Sequence, residues 1–167
     1  MRLAEYTDYT LRVLMYCAAN PDGLVTIGEL ADRHGLSKNH LMKIVNDLSR
    51  QGVLHTTRGR GGGVRLAKAA HDVRVGDVVR NSESDFRMVE CFDSRTNRCM
   101  LTPSCRLKGL LETALQAYFN ELDAVTLADI CAPQRAGPAH QSMRAPPTRR
   151  PSAPASTARV TGRCGAA

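Results

Sequence analysis

The sequence predicts a mainly α chain with a single small β-hairpin. Apolar residues recur at helical spacing in separate stretches between residues 8 and 124. Only two short runs, on either side of a glycine-rich turn, have strand character. Breakers at Asn20-Pro21-Asp22-Gly23, Gly35 and Gly52 divide the first three helical stretches, and no internal repeat is apparent.

The elements follow in order. Residues 8–19 read as a first helix, with Leu11, Leu14, Met15 and Ala18 on one face. Thr26-Ile27-Gly28-Glu29 has capping-box spacing and opens a second helix, from Ile27 to about His34. Gly35 ends it. Ser37 caps a third helix from Lys38 to Arg50, whose apolar face is Leu41, Ile44, Val45 and Leu48 and whose stop is Gly52. Val53–Thr57 and Val64–Leu66 form the hairpin around Arg58–Gly63. A short helix near Val75–Asn81 comes next, then an irregular stretch from about Ser84 to Ser104. Pro103 opens a long helix from Ser104 to about Ala124, and Thr126-Leu127-Ala128-Asp129 starts a last helical turn.

Three short helices followed by a hairpin are the order of a winged helix-turn-helix. In that unit the third helix enters the major groove with its N-terminal residues on base edges. Here these residues are Ser37, Lys38, Asn39, His40 and Lys43, all polar and all off the apolar face. Arg58, Arg60 and Arg65 lie on the hairpin, where glycines let the backbone approach a duplex. For any one of these residues, simple solvation is the more frequent role. As a group, with the helix order and the turn, they point to double-stranded DNA. The Arg58–Gly63 run lacks the Gly-Lys-Ser/Thr end of a nucleotide-hydrolase phosphate loop.

The charge supports this once it is located. The 167 residues hold 23 Lys+Arg and 16 Asp+Glu, a net +7, which points to a polyanion. Residues 132–167 contain six arginines, six prolines and no acid, so residues 1–131 carry only +1. That tail lacks the apolar content to form a core and is expected to be a disordered, basic, Pro/Ala-rich extension. Within the remainder, residues 32–65 concentrate seven basic against two acidic groups. The longest uncharged stretch in the first half, Val13–Pro21, is far short of the ~20 residues a membrane span needs. No secretory signal is visible, so a reducing cytoplasm is expected.

In that compartment clustered cysteines suggest metal or redox chemistry. Cys91, Cys99 and Cys105 form a C-x7-C-x5-C run without a histidine, in a stretch rich in turn formers. The spacing is looser than that of zinc ribbons. Three soft thiolates leave iron–sulfur, zinc and a plain thiol switch open, and a cluster would require a fourth ligand from elsewhere. Cys17 reads as a buried inert thiol, and Cys131 and Cys164 are not expected to be ligands. No base or substrate motif accompanies the cysteines, so an enzyme is not expected. The apolar stripe of the long helix, Leu107, Leu110, Leu111, Ala114, Leu115, Tyr118, Leu122 and Val125, is too long for one small core and predicts a homodimer reading a palindrome.

Several blocks together carry a family resemblance. They are Leu3–Tyr9 with its helix, the wing ending Gly61-Gly62-Gly63-Val64-Arg65-Leu66, and Val89-Glu90-Cys91-Phe92-Asp93. Asn97, Cys99, Pro103, Cys105-Arg106-Leu107-Lys108 and Thr126-Leu127-Ala128-Asp129-Ile130 complete them. Over roughly residues 1–131 the chain resembles the NsrR family of nitric-oxide-sensing iron–sulfur repressors, within the winged-helix regulators that include IscR. The tail departs from that pattern. The resemblance implies a homodimeric repressor with nitric oxide as its signal. It implies an iron–sulfur cluster on Cys91, Cys99 and Cys105, four-iron (4Fe-4S) rather than two-iron (2Fe-2S). It also implies an acidic fourth ligand in the first helix, supplied by the other subunit; that position is Asp8, with Glu5 in reserve. The expected organisation is a DNA-binding domain (1–83), a cluster loop with dimerisation helix (84–131) and the tail (132–167).

Overall fold

The computed structural model describes residues 2–132. Residues 133–167 of the expected tail lie outside the described residues. Six α-helices and two strands run in the order α1 (Glu5–Ala19), α2 (Ile27–His34), α3 (Lys38–Arg50), β1 (Leu54–Thr57), β2 (Gly63–Leu66), α4 (Val75–Ser82), α5 (Arg106–Ala124) and α6 (Leu127–Cys131). Three-residue 3-10 turns at Ala70–Asp72, Glu90–Phe92 and Thr102–Ser104 fill the connections.

Local chemistry explains most boundaries. Thr26 accepts the Glu29 N–H while the Glu29 carboxylate accepts the Thr26 N–H, so α2 has a full capping box. Gly35 closes it at φ 67°, a conformation that favours glycine. Ser37 caps α3 by accepting the His40 N–H at 3.3 Å. Thr126 and Asp129 form a second capping box on α6.

Two helix starts differ from expectation, and each strand start moves by one residue, to Leu54 and Gly63. The first helix begins at Glu5, a turn earlier than residue 8; Ala4 precedes it without a side-chain cap. The long helix begins at Arg106, because Pro103 and Ser104 belong to a 3-10 turn and Cys105 takes the N-cap position. The turn at Ala70–Asp72 carries no periodic signal in so short a segment.

The main core joins α1, α2, α3, the hairpin and α6. Val13, Leu14, Leu30, Leu41 and Ile44 are fully buried in it. β1 and β2 pair antiparallel, Leu54 opposite Leu66 and Thr57 opposite Gly63. Val25 extends this pairing through two hydrogen bonds with Val64, at 2.9 and 2.8 Å, and ties the wing to the turn before α2. A second apolar cluster of Val75, Val79 and Phe119 packs α4 on α5, with Phe86 edge-on to Phe119 at 4.8 Å between ring centroids. The described residues form one compact unit. No described helix is long and apolar enough to cross a membrane.

Candidate DNA interface and cysteine loop

α3 divides cleanly. Leu41, Ile44, Val45 and Leu48 are buried, whereas Ser37, Lys38, Asn39, His40 and Lys43 are exposed. Two tyrosines of α1 hold the helix in place. The Tyr6 hydroxyl donates to the Asp47 carboxylate at 2.7 Å, and Lys43 Nζ lies 5.8 Å from the Tyr6 ring. Burial, reinforced by the Asp47 carboxylate, pushes the Tyr6 phenol up to about 12, so it remains a donor. The Tyr9 ring meets His40 edge-on at 5.7 Å. The exposed end of α3 is therefore braced from behind.

The wing turn depends on glycine. Gly59 and Gly61 have φ of 99° and 79°, and a Cβ at Gly62 would collide with the Thr57 carbonyl. This leaves Arg58, Arg60 and Arg65 exposed, and no described carboxylate pairs with them or with Lys38 or Lys43. Between α3 and the wing lies a cleft of about 280 Å³ lined by Met42, Asn46, Thr57 and Arg58, among others. Met42 and Asn46 are not among the residues the sequence singles out. They continue the i+4 stripe from Lys38, and that spacing is the signal that could have found them.

The loop from Ser84 to Cys105 is held mainly by polar contacts. Asp93 is buried, 9% exposed. Its carboxylate accepts from Arg87 Nη1 at 2.7 Å, from the Arg95 N–H at 3.0 Å and from Arg95 Nε at 3.3 Å. The Arg95 donors, then the Arg87 charge and hydrogen bond, hold its carboxyl below the usual carboxylate range. Asn97 Oδ1 accepts the Cys99 N–H at 2.9 Å, and Thr102 Oγ1 donates to the Cys99 carbonyl at 2.8 Å. Glu90 accepts the Arg98 N–H at 2.7 Å. Cys91, Cys99 and Cys105 are unpaired and half-buried, and Cys105 stands at the N-terminus of α5.

Three thiols on one loop suit a soft, thiophilic centre in ligand type. Among the described residues of a single chain, however, no three His, Cys, Asp or Glu side chains converge as a metal site. The Asp8 carboxylate instead accepts from Arg12 Nη2 at 2.6 Å and Nε at 3.1 Å. Glu5 pairs with Arg2 at 3.5 Å and is largely exposed. Cys17 is 2% exposed, and burial pushes its thiol up to about 11, which suits an inert core residue. The Cys131 thiol points to the Met15 carbonyl at 3.7 Å. Cys164 lies outside the described residues.

α5 has two different ends. Toward its C-terminus, Arg80 of α4 forms a two-point pair with Asp123, 2.6 Å at each contact, and lies 4.3 Å over the Phe119 ring. Toward its N-terminus, Leu107 and Leu110 are 58% and 65% exposed, next to Leu101 at 71% and Met100 at 94%. Of the whole helix, only Phe119 is buried.

A braced recognition helix beside a basic, glycine-tipped wing defines a winged-helix DNA-binding transcriptional regulator. Comparison with known proteins agrees. The family model described as Rrf2, iron-dependent transcriptional regulator, matches residues 3–133. The HTH-type transcriptional regulator NsrR of Bacillus licheniformis is 49% identical over 131 residues, 78% of this chain and 92% of that protein. Its Bacillus subtilis counterpart is 48% identical over the same share of this chain and 90% of its own length. The solved structures of IscR from T. potens and CymR from Staphylococcus aureus superpose with TM-scores of 0.63 and 0.65, at 24% and 22% identity. They cover 78% and 80% of this chain and 85% and 98% of their own, and they share its fold. The chain belongs to the Rrf2 family of transcriptional regulators, among its NsrR members, and is not an enzyme.

Proposed function

We propose that the chain is a homodimeric, nitric-oxide-responsive repressor that binds a palindromic operator in double-stranded DNA while it holds an iron–sulfur cluster. Cys91, Cys99 and Cys105 would hold the cluster, with Asp8 of a second copy as fourth ligand; 4Fe-4S is favoured over 2Fe-2S. The observation that carries this reading is the place of Cys105. The loop of three unpaired thiols ends where the exposed apolar half of α5 begins, so the donors and the surface left for a second copy are continuous. The likeness to the NsrR regulators supports the choice of iron–sulfur over zinc and of nitric oxide as the signal. The chemistry such a cluster supplies when bound is an iron site open to nitric oxide.

The chain's own residues do the rest. Ser37, Lys38, Asn39, His40 and Lys43 meet base edges and phosphates, and Arg58, Arg60 and Arg65 follow the adjacent groove. Asp8 accepts from Arg12 on its own helix and keeps lone pairs for a metal, and it lies on the same helix as Tyr6 and Tyr9, which brace α3. A bond from Asp8 to the cluster would therefore act next to the reading helix. A switch from 99:1 to 1:99 occupancy requires a bias of about 5.5 kcal/mol between the two states. Residues 1–83 then read DNA, and residues 84–131 sense and dimerise.

Purification without oxygen tests the cofactor. The expected product is a brown protein with broad visible absorbance and matched iron and sulfide. A colourless protein that retains zinc, or no metal, would contradict it.

A further inference from the structure

We propose that Asp93 is the positioning residue of the cysteine loop, and that it sets how tightly the loop retains its cluster. This rests on the reading of the three cysteines given above and adds a residue to it.

Asp93 is the only buried acidic or basic side chain among the described residues. A buried carboxylate is costly unless fully paired, and a pair of this kind contributes little to stability compared with apolar packing. Its place in the loop indicates what it does instead. No residue from 87 to 105 belongs to either apolar cluster, so burial of apolar surface does not fix this loop. Polar links from Asp93 do. Its carboxylate ties Arg87, on the segment entering the loop, to Arg95, on the turn that follows Cys91. Arg87 is anchored in turn by Asp85, at 2.6 Å.

The main-chain carbonyl of Asp93 accepts the N–H groups of Thr96 and Asn97, at 3.3 and 3.0 Å. Asn97 then holds the Cys99 N–H and donates to Thr102, whose hydroxyl holds the Cys99 carbonyl. The residue before Cys91, Glu90, accepts from the residue before Cys99, Arg98. Asp93 is thus the hub of a framework that governs the path from Cys91 to Cys99 without contributing a ligand. Such supporting residues typically change metal retention by about 10–100-fold when removed.

The test uses the full chain as wild type, as Asp93→Ala, Asp93→Asn and Arg87→Ala, and with Asp93→Ala and Arg87→Ala combined. Amide exchange at residues 95–99 is read in the cluster-free protein, and the rate of cluster loss to an iron chelator in the loaded protein. The expected result for Asp93→Ala is about tenfold faster exchange at 95–99 and at least tenfold faster loss, with exchange in α1 and α3 unchanged. Asp93→Asn keeps an oxygen for the Arg95 N–H and should fall between. Adding Arg87→Ala to Asp93→Ala should change cluster loss and exchange at 95–99 little more, since the Arg87–Asp93 pair is already gone and the Arg87–Asp85 pair it also removes lies outside the path from Cys91 to Cys99. A loss rate in Asp93→Ala equal to wild type, or unaltered exchange at 95–99, overturns the proposal. Uniformly faster exchange throughout the chain also overturns it, because Asp93 would then be a general stability residue. A wild type that takes up no cluster refutes the functional reading itself, and this inference with it.

Discussion

Single residues separate into those whose type alone reveals a role and those that need a neighbour. Cys17 is of the first kind. It sits among apolar neighbours in sequence, and it is buried in the structure with a thiol raised to about 11. Asp8 is of the second kind. A carboxylate near a helix start is ordinarily explained by the helix dipole, and here it also has an i+4 arginine to satisfy it. Only the family resemblance singles it out. The two residues make a paired prediction. Asp8→Ala should alter the visible spectrum of the loaded protein and blunt its response to nitric oxide, while Cys17→Ser should leave both as they are. An Asp8→Ala protein with an unchanged spectrum and response would remove it from the ligand set. Asp93 is invisible in the sequence as a hub, because its importance lies in burial and in contacts to Arg87 and Arg95, neither of which spacing encodes.

At the scale of elements, helix identity is legible wherever side chains cap their own backbone. The capping boxes at Thr26 and Thr126 and the cap at Ser37 mark α2, α6 and α3 directly. α1 has no capping side chain, and for that reason its start at Glu5 is not marked in the sequence. The wing is legible because glycine and arginine both have position-specific uses there. Arg58→Ala or Arg60→Ala should lower the slope of log affinity against log salt by about 0.9 for each phosphate left without its cation. An unchanged slope in a salt titration would place these arginines off the duplex.

The joint between α4 and α5 yields a pH prediction. The Arg80 hydrogen bonds and charge hold the Asp123 carboxyl below its ordinary value. A depressed folded value stabilises above the unfolded value of about 3.9 and is lost as pH falls through the folded one. The Tm difference between wild type and Asp123→Asn should therefore be full near neutrality and shrink below about pH 4. A difference that is constant down through acid pH would show that the pair contributes no linkage.

At the scale of the whole molecule, the net charge and the exposed apolar surface divide the work. The positive excess of the described chain lies at the reading helix and wing, and the apolar excess lies at the start of α5. A helix of 19 residues is about 28 Å long, enough to run against a second copy and space two reading heads one helical turn of DNA apart. Replacing Leu110 with Asp should weaken dimerisation by at least about tenfold, since one buried leucine contributes ~1.5–3 kcal/mol and a two-fold interface counts it twice. Sedimentation that shows an unaltered dimer would move the interface elsewhere. The exposed apolar surface of α5, proposed here for a second copy, is legible because the apolar stripe of the long helix exceeds what one small core can cover. The proposed gathering of three thiols with a carboxylate is not, since it is a relation between distant segments and, in the proposed arrangement, between two chains.

In the proposed mechanism, one loop of cysteines decides whether this helix and wing hold DNA. Operator binding and the visible spectrum can be followed together, in one anaerobic sample, as nitric oxide is added. The cluster absorbance and the bound fraction are predicted to change together, and protein stripped of metal to bind the same DNA weakly throughout. Operator binding that is equally tight before nitric oxide, after it, and in the metal-free protein would contradict it.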